Sequence, residues 1–196
     1  MSQDGQKTNN AEELFLNLAY NRFYDLFKEV MEDRFWELGA WQRFSIISQG
    51  FAVYAEVLNY ETMGYVVDAI KAKRPPMEAE IGSNLFKFIR NVLVHFPFFE
   101  TWEDVWVNKP LVNWNKEDQS IDKFLTKYQG SSVVKYRFWE EDKKQMTYLS
   151  ISFPKLYSEN KIYLKDIISE KEGCKFAFIM MKNILNTQVE EINEKA

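Results

Sequence analysis

Glu80-Ile81-Gly82-Ser83-Asn84-Leu85-Phe86-Lys87-Phe88-Ile89-Arg90-Asn91-Val92-Leu93-Val94-His95 is the stretch whose reading decides the fold. Ile81, Leu85, Phe88 and Val92 fall at helical spacing on one stripe, which predicts an α-helix with that stripe buried. Pro97 disfavours helical geometry at Phe96, so the helix is expected to end with His95 at or near its last turn. Pro75-Pro76 stop whatever precedes it, which sets the start near Met77.

Working outward, two more helices are expected before this one. In the first, about 11–38, Leu14, Leu18, Leu26, Phe27 and Val30 share helical spacing, Asn10 can cap, and Glu12 and Glu13 sit in the first turn. Gly39 ends or bends it. The second, about 41–72, carries Ile47, Phe51, Tyr54, Ala55 and Leu58 on one side, with Gly50 and Gly64 as possible bends. Lys71, Lys73 and Arg74 close it where the helix dipole favours cations. After the third helix, Trp102, Trp106 and Trp114 lie in an irregular stretch, then a short helix is expected from Asp118 to Tyr128. Gly130-Ser131-Ser132 marks a break. Val133–Trp139 and Met146–Phe153 then read as a β-hairpin around a charged turn. A terminal helix from about Glu172 to Glu194 turns Phe176, Ile179, Met180, Ile184 and Leu185 inward. The fold expected is mainly α, with a small C-terminal β-hairpin and a terminal helix. Residues 1–10 read as a disordered lead, and 11–196 as a single domain whose hairpin and last helix are an addition at about 131–196.

Composition bounds the function. The 196 residues are 46% hydrophobic and 16% aromatic, enough for one bulky core, with aromatics left over for an interface. One cysteine, Cys174, excludes an internal disulfide, and with one histidine leaves too few soft ligands for a structural zinc. No metal and no cofactor is expected. The polar start lacks a signal-peptide core, and no apolar run reaches the roughly eighteen residues of a membrane span. The chain is therefore expected to be cytoplasmic and without a membrane partner. A net charge of −4 argues against an extensive nucleic-acid surface but leaves room for a small local one.

Within Arg90-Asn91-Val92-Leu93-Val94-His95 a guanidinium, an amide and the only histidine share little more than one helical turn. Guanidinium groups grip phosphates through paired charge-assisted hydrogen bonds, and imidazole exchanges protons near neutral pH. At about 100° per residue, Asn91 lies about 40° from His95 and Arg90 about 140° from it. That spread points to a site completed by something else, such as a second copy of the same helix.

These six residues resemble the R-x(4–6)-H motif of the HEPN superfamily, in which a polar residue often follows the Arg. "RNVLVH" is especially similar to the version in HEPN proteins paired with minimal nucleotidyltransferases. The resemblance implies a HEPN-like helical bundle that dimerises across two such motifs. It further implies a metal-independent endoribonuclease of a prokaryotic toxin–antitoxin or anti-phage (abortive-infection) system, with RNA as substrate and an antitoxin or defence protein as a possible partner. His95 would be the general acid/base, Arg90 the phosphate anchor and Asn91 the orienting group, with the RNA 2′-OH as nucleophile. The nucleotidyltransferase-paired members carry a Tyr two residues after the His; Pro97 stands there in this chain, so switching by modification of that Tyr is not expected.

Plainer readings stand beside these. A histidine at a helix C-terminus is favoured by the dipole alone. Trp102 and Trp106 could stack bases but more commonly pin a loop to a core. Lys71, Lys73 and Arg74 suit a solvated helix end, and Glu140, Glu141 and Asp142 read as solvent charge in a turn. Tyr136, Arg137 and Trp139 suit core packing better than a partner surface. Cys174 has no basic neighbour in sequence that would make it a nucleophile. The alternative function is a catalytically silent HEPN-like interaction module or a regulator of a defence protein.

Overall fold

A computed structural model describes residues 10–59, 77–95, 98–108, 125–131, 134–140, 143–156 and 161–193. Mainly helical, it is built on α1 (Asn10–Met31), α2 (Ala40–Asn59), α3 (Met77–His95) and a terminal α5 (Glu170–Asn193), with a one-turn α4 (Leu164–Ile167) before the last. Among the described residues four strands are added: β1 (Trp106–Asn108), β2 (Val134–Glu140), β3 (Gln145–Ile151) and β4 (Lys161–Tyr163). The long helices pack on one another, α1 on α2, α2 on α3, and α5 against all three.

The third helix is where its pattern places it. Leu85, Phe88 and Val92 are buried, joined by Phe86, Ile89 and Leu93, so the apolar face is wider than the stripe alone. The first helix ends seven residues before the expected boundary. Glu32 leaves helical geometry, and Asp33–Glu37 form a 3₁₀ turn that buries Phe35. The Trp36 indole N–H donates to the Val30 carbonyl at 3.1 Å and fixes that turn. Nor does the apolar pattern of α1 carry through, because Leu14 and Leu18 are more than half exposed and Phe23 is the first buried side chain described along the helix.

Gly39 stands at the head of α2, its carbonyl accepting the Arg43 N–H at 3.0 Å. Gly50 lies within α2 and serves close packing: a Cβ there would sit 2.7 Å from Cε1 of Phe178. That ring, from α5, is fully buried, stacks on Phe23 with centroids 6.0 Å apart, and meets Phe51 edge-on at 5.8 Å. Such pairs contribute about 0.5–1.5 kcal/mol each beyond the area they bury. The second half of the expected α2, with Gly64, Lys71, Lys73 and Arg74, lies outside the described residues.

The terminal helix starts two residues early because Ser169 caps it. The Ser169 hydroxyl accepts the Glu172 N–H at 3.4 Å, a side-chain N-cap, and donates to the Glu172 carboxylate at 2.8 Å. Of the residues expected inward, Phe176, Ile179 and Leu185 are buried, whereas Met180 and Ile184 are half-buried; Cys174, Ala177, Phe178 and Met181 complete the face. Near the start of α5, Arg43 Nη2 meets Glu170 at 2.6 Å with both side chains largely shielded.

The hairpin is present, antiparallel from Val134↔Ile151 to Glu140↔Gln145. Leu149, Ile151 and Phe153 point inward while Met146 and Tyr148 are exposed, the period-two alternation of a half-buried strand. Gly130, at φ +80°, makes the break before it. Residues 125–128 are helical, and the rest of the expected 118–128 helix lies outside the described residues. The stretch after α3 is less irregular than expected: Trp102–Asp104 form a 3₁₀ turn, and β1 pairs antiparallel with β4 through Trp106↔Tyr163.

Candidate functional site

Arg90 and Asn91 are in direct contact. The Arg90 guanidinium donates from Nε at 3.2 Å and from Nη2 at 2.9 Å to the same Asn91 Oδ1. Both residues are half-buried on α3, beside the apolar stripe that anchors the helix. The neutral amide takes one edge of the fork, and the remaining donors of the guanidinium face outward from that contact, suited to an anion. Arg90 also makes itself felt at Tyr54 of α2. Burial pushes the Tyr54 hydroxyl well above its ordinary range, and the Arg90 charge acts against that rise.

His95 is the last residue of α3 and is exposed. Its position one turn beyond Asn91 puts their Cα atoms about 6 Å apart along the axis, with Arg90 about 7.5 Å back. The structure thus joins Arg90 to Asn91 and leaves the imidazole exposed at the helix rim. Phe96 and Pro97 lie outside the described residues. Among the described residues no cluster of histidine, cysteine and carboxylate side chains forms a metal-binding group.

The other candidates separate cleanly. Trp102 is buried, and its indole N–H donates to the Ile168 carbonyl at 3.1 Å, so it pins the post-α3 segment to the link between α4 and α5 and stacks no base. Its ring lies over Gly173, where a Cβ would come within 2.9 Å. Trp106 is half-buried, with the Lys161 ammonium 4.9 Å from its ring centre, and Trp114 lies outside the described residues. Cys174 is fully buried; burial and the Glu170 carboxylate push its thiol up against the opposing pull of Arg43, the reverse of an activated nucleophile. The side chains of Tyr136, Arg137 and Trp139 lie outside the described residues.

Glu140 corrects an expectation. It is 8% exposed and is no solvent charge: Thr147 Oγ1 donates to it at 2.5 Å and Lys143 meets it at 2.8 Å. Burial works to raise its carboxyl, yet the bonds from Lys143 and Thr147 carry it below the ordinary value. Glu141 and Asp142 lie outside the described residues.

One feature escaped the sequence reading. A cavity of about 390 Å³ opens between α1, the hairpin turn and α5, with Lys28, Lys143 and Lys182 on its wall. Its residues come from three distant segments, which hides it from local motif reading. The available signal was the repeat of Lys171, Lys175 and Lys182, which fall within about 40° of one another around α5.

No helix among the described residues is long and apolar enough to cross a membrane. No family model matches the chain, and no curated protein or solved structure matches it either.

Proposed function

We propose that the chain is a metal-independent endoribonuclease of HEPN type, serving a prokaryotic toxin–antitoxin or anti-phage system. The observation that carries this reading is the Arg90 fork, oriented by Asn91 one helical turn before an exposed His95. Arg90 grips the non-bridging oxygens of the scissile phosphate. The RNA 2′-oxygen attacks the neighbouring phosphorus, the bond to the 5′-oxygen breaks, and a 2′,3′-cyclic phosphate remains. The 2′-OH proton leaves to a base, and the departing 5′-oxygen takes one from an acid.

Each turnover needs a base and an acid together, and each chain has only one imidazole. A homodimer in which α3 faces its own copy supplies the second His95 and completes the cleft. Purified protein incubated with total cellular RNA tests this: cleavage that persists in EDTA and disappears in His95→Ala supports it, and intact RNA contradicts it.

A second reading, a non-catalytic interaction module, draws on the exposed Leu14, Phe15 and Leu18 of α1. Three large apolar side chains within five residues form a surface suited to a partner protein. Paired motifs across a dimer cleft favour the enzyme, and divergent motifs favour the module.

A further inference from the structure

Around Lys175 of α5 the charges do not balance. Its ammonium lies 3.7 Å from Asp33 Oδ1, in the 3₁₀ turn after α1, but Lys171, one turn earlier on α5, holds the same oxygen at 3.3 Å. Both ammonium groups also stand 6.0 Å from the ring centre of Trp36, whose indole N–H is tied to the Val30 carbonyl. From the hairpin turn, Lys143 comes near enough to act on Lys175, and it is itself paired with Glu140 at 2.8 Å. Among the described residues, three ammonium groups therefore meet two carboxylates. Lys171 takes Asp33 and Lys143 takes Glu140, which leaves Lys175 as the surplus cation.

Shielding sets Lys175 apart from its neighbours. Its side chain is 20% exposed, against 51% for Lys171 and 52% for Lys143. A covered ammonium loses hydration, and like charges nearby add to that cost. Burial first, then the Lys171 charge, hold the Lys175 ammonium below its ordinary value; Asp33 pulls back, and Lys143 adds a smaller push. Glu140, across the same cluster, feels the Lys175 charge in turn. Loss of one proton here leaves two matched ion pairs and one neutral amine. A neutral amine is a nucleophile, and a part-exposed one can be reached.

We propose that Lys175 is a site of covalent acylation, reacting with a small activated acyl donor of the acyl phosphate class ahead of the exposed lysines around it. The ammonium first gives its surplus proton to solvent. The free amine then attacks the acyl carbon: a C–N bond forms, the C–O bond to phosphate breaks, and phosphate leaves with the electron pair and takes up the proton that the nitrogen sheds. The product is a neutral amide. It can no longer pair with Asp33, so the tie between the 3₁₀ turn and α5 passes to Lys171 alone. The inference is independent of the ribonuclease reading, since none of these residues belongs to the Arg90–His95 motif.

Trace labelling of the full chain with acetyl phosphate across a pH series, read lysine by lysine by peptide mass spectrometry, provides the test. At neutral pH, Lys175 is expected to acetylate about threefold or more faster than the exposed Lys28 and Lys155, because more of its amine is free. In urea that preference should vanish, which separates an effect of the fold from one of local sequence. Two substitutions at exposed side chains should move the site in opposite directions. Lys171→Met removes the competing ammonium and leaves Asp33 to Lys175, so acetylation slows and the pH of half-maximal rate rises. Asp33→Asn removes the carboxylate that holds the proton, so acetylation quickens and that pH falls. If Lys175 reacts no faster than Lys28 and Lys155, if its preference persists in urea, or if neither substitution shifts its half-maximal pH, the proposal is overturned.

Discussion

The Arg90 guanidinium donates two hydrogen bonds to the side-chain oxygen of Asn91, its immediate neighbour on α3. Adjacent helical positions ordinarily diverge by about 100°, so only a long side chain curling back makes this contact. The consequence is a guanidinium held in one plane on a helix anchored by its buried apolar face.

Freeing that plane has a measurable cost. Asn91→Ala should lower RNA cleavage by about 10- to 150-fold, the kinetic equivalent of the roughly 1.5–3 kcal/mol of hydrogen bonds to a charged group. Arg90→Lys should be at least as damaging, because an ammonium cannot reproduce the two-pronged grip. Melting temperatures of both variants should stay close to wild type, since neither side chain fills the core.

Packing at Gly50 gives a stability prediction. A methyl added there meets the buried Phe178 ring, so Gly50→Ala should destabilise by about 1–3 kcal/mol in chemical denaturation. Combining it with Phe178→Leu should cost less than the sum of the two single changes, because the smaller side chain yields the space.

The Arg43–Glu170 pair is shielded, with side chains 18% and 15% exposed. Glu170 already keeps one buried carboxylate oxygen with no hydrogen-bond partner among the described residues. Arg43→Met should therefore cost about 3 kcal/mol by leaving the carboxylate unpaired, whereas Arg43→Met with Glu170→Met should recover most of that loss. Equilibrium urea melts of the three variants decide the matter.

Alkaline pH should destabilise the fold through its tyrosines. Burial, aided by Tyr24, raises the Tyr20 hydroxyl from 10.0 to about 12, and its proton is donated to the Leu185 carbonyl at 3.0 Å. A raised folded value means that the native state holds the proton more tightly. The contribution is present in full below pH 10 and declines as pH climbs from there to about 12. Tyr20→Phe should flatten the fall in melting temperature across that window.

How much could be read from the chain depended on whether the signal was local. Helix α3 was legible because an apolar stripe and a proline act within a few residues, and the hairpin because β3 alternates. The early stop of α1 was not, since Phe35 and Trp36 turn the chain through contacts that helical periodicity does not encode. β1 and β4 were missed because three-residue strands separated by more than fifty residues leave no period. At the candidate site, the Arg90, Asn91 and His95 types were visible, whereas the curl of Arg90 onto Asn91 was not. Glu140 was misread because its partner Thr147 lies across the hairpin, outside any turn-level pattern.

The most direct test of the central claim is cleavage of a defined, end-labelled RNA by pure protein in EDTA, with the product ends identified chemically. The account predicts 2′,3′-cyclic phosphate ends, and a loss of about 10²–10⁴-fold in His95→Ala with the fold intact. Undamaged RNA, or a His95→Ala variant that cuts as fast as wild type, would contradict it.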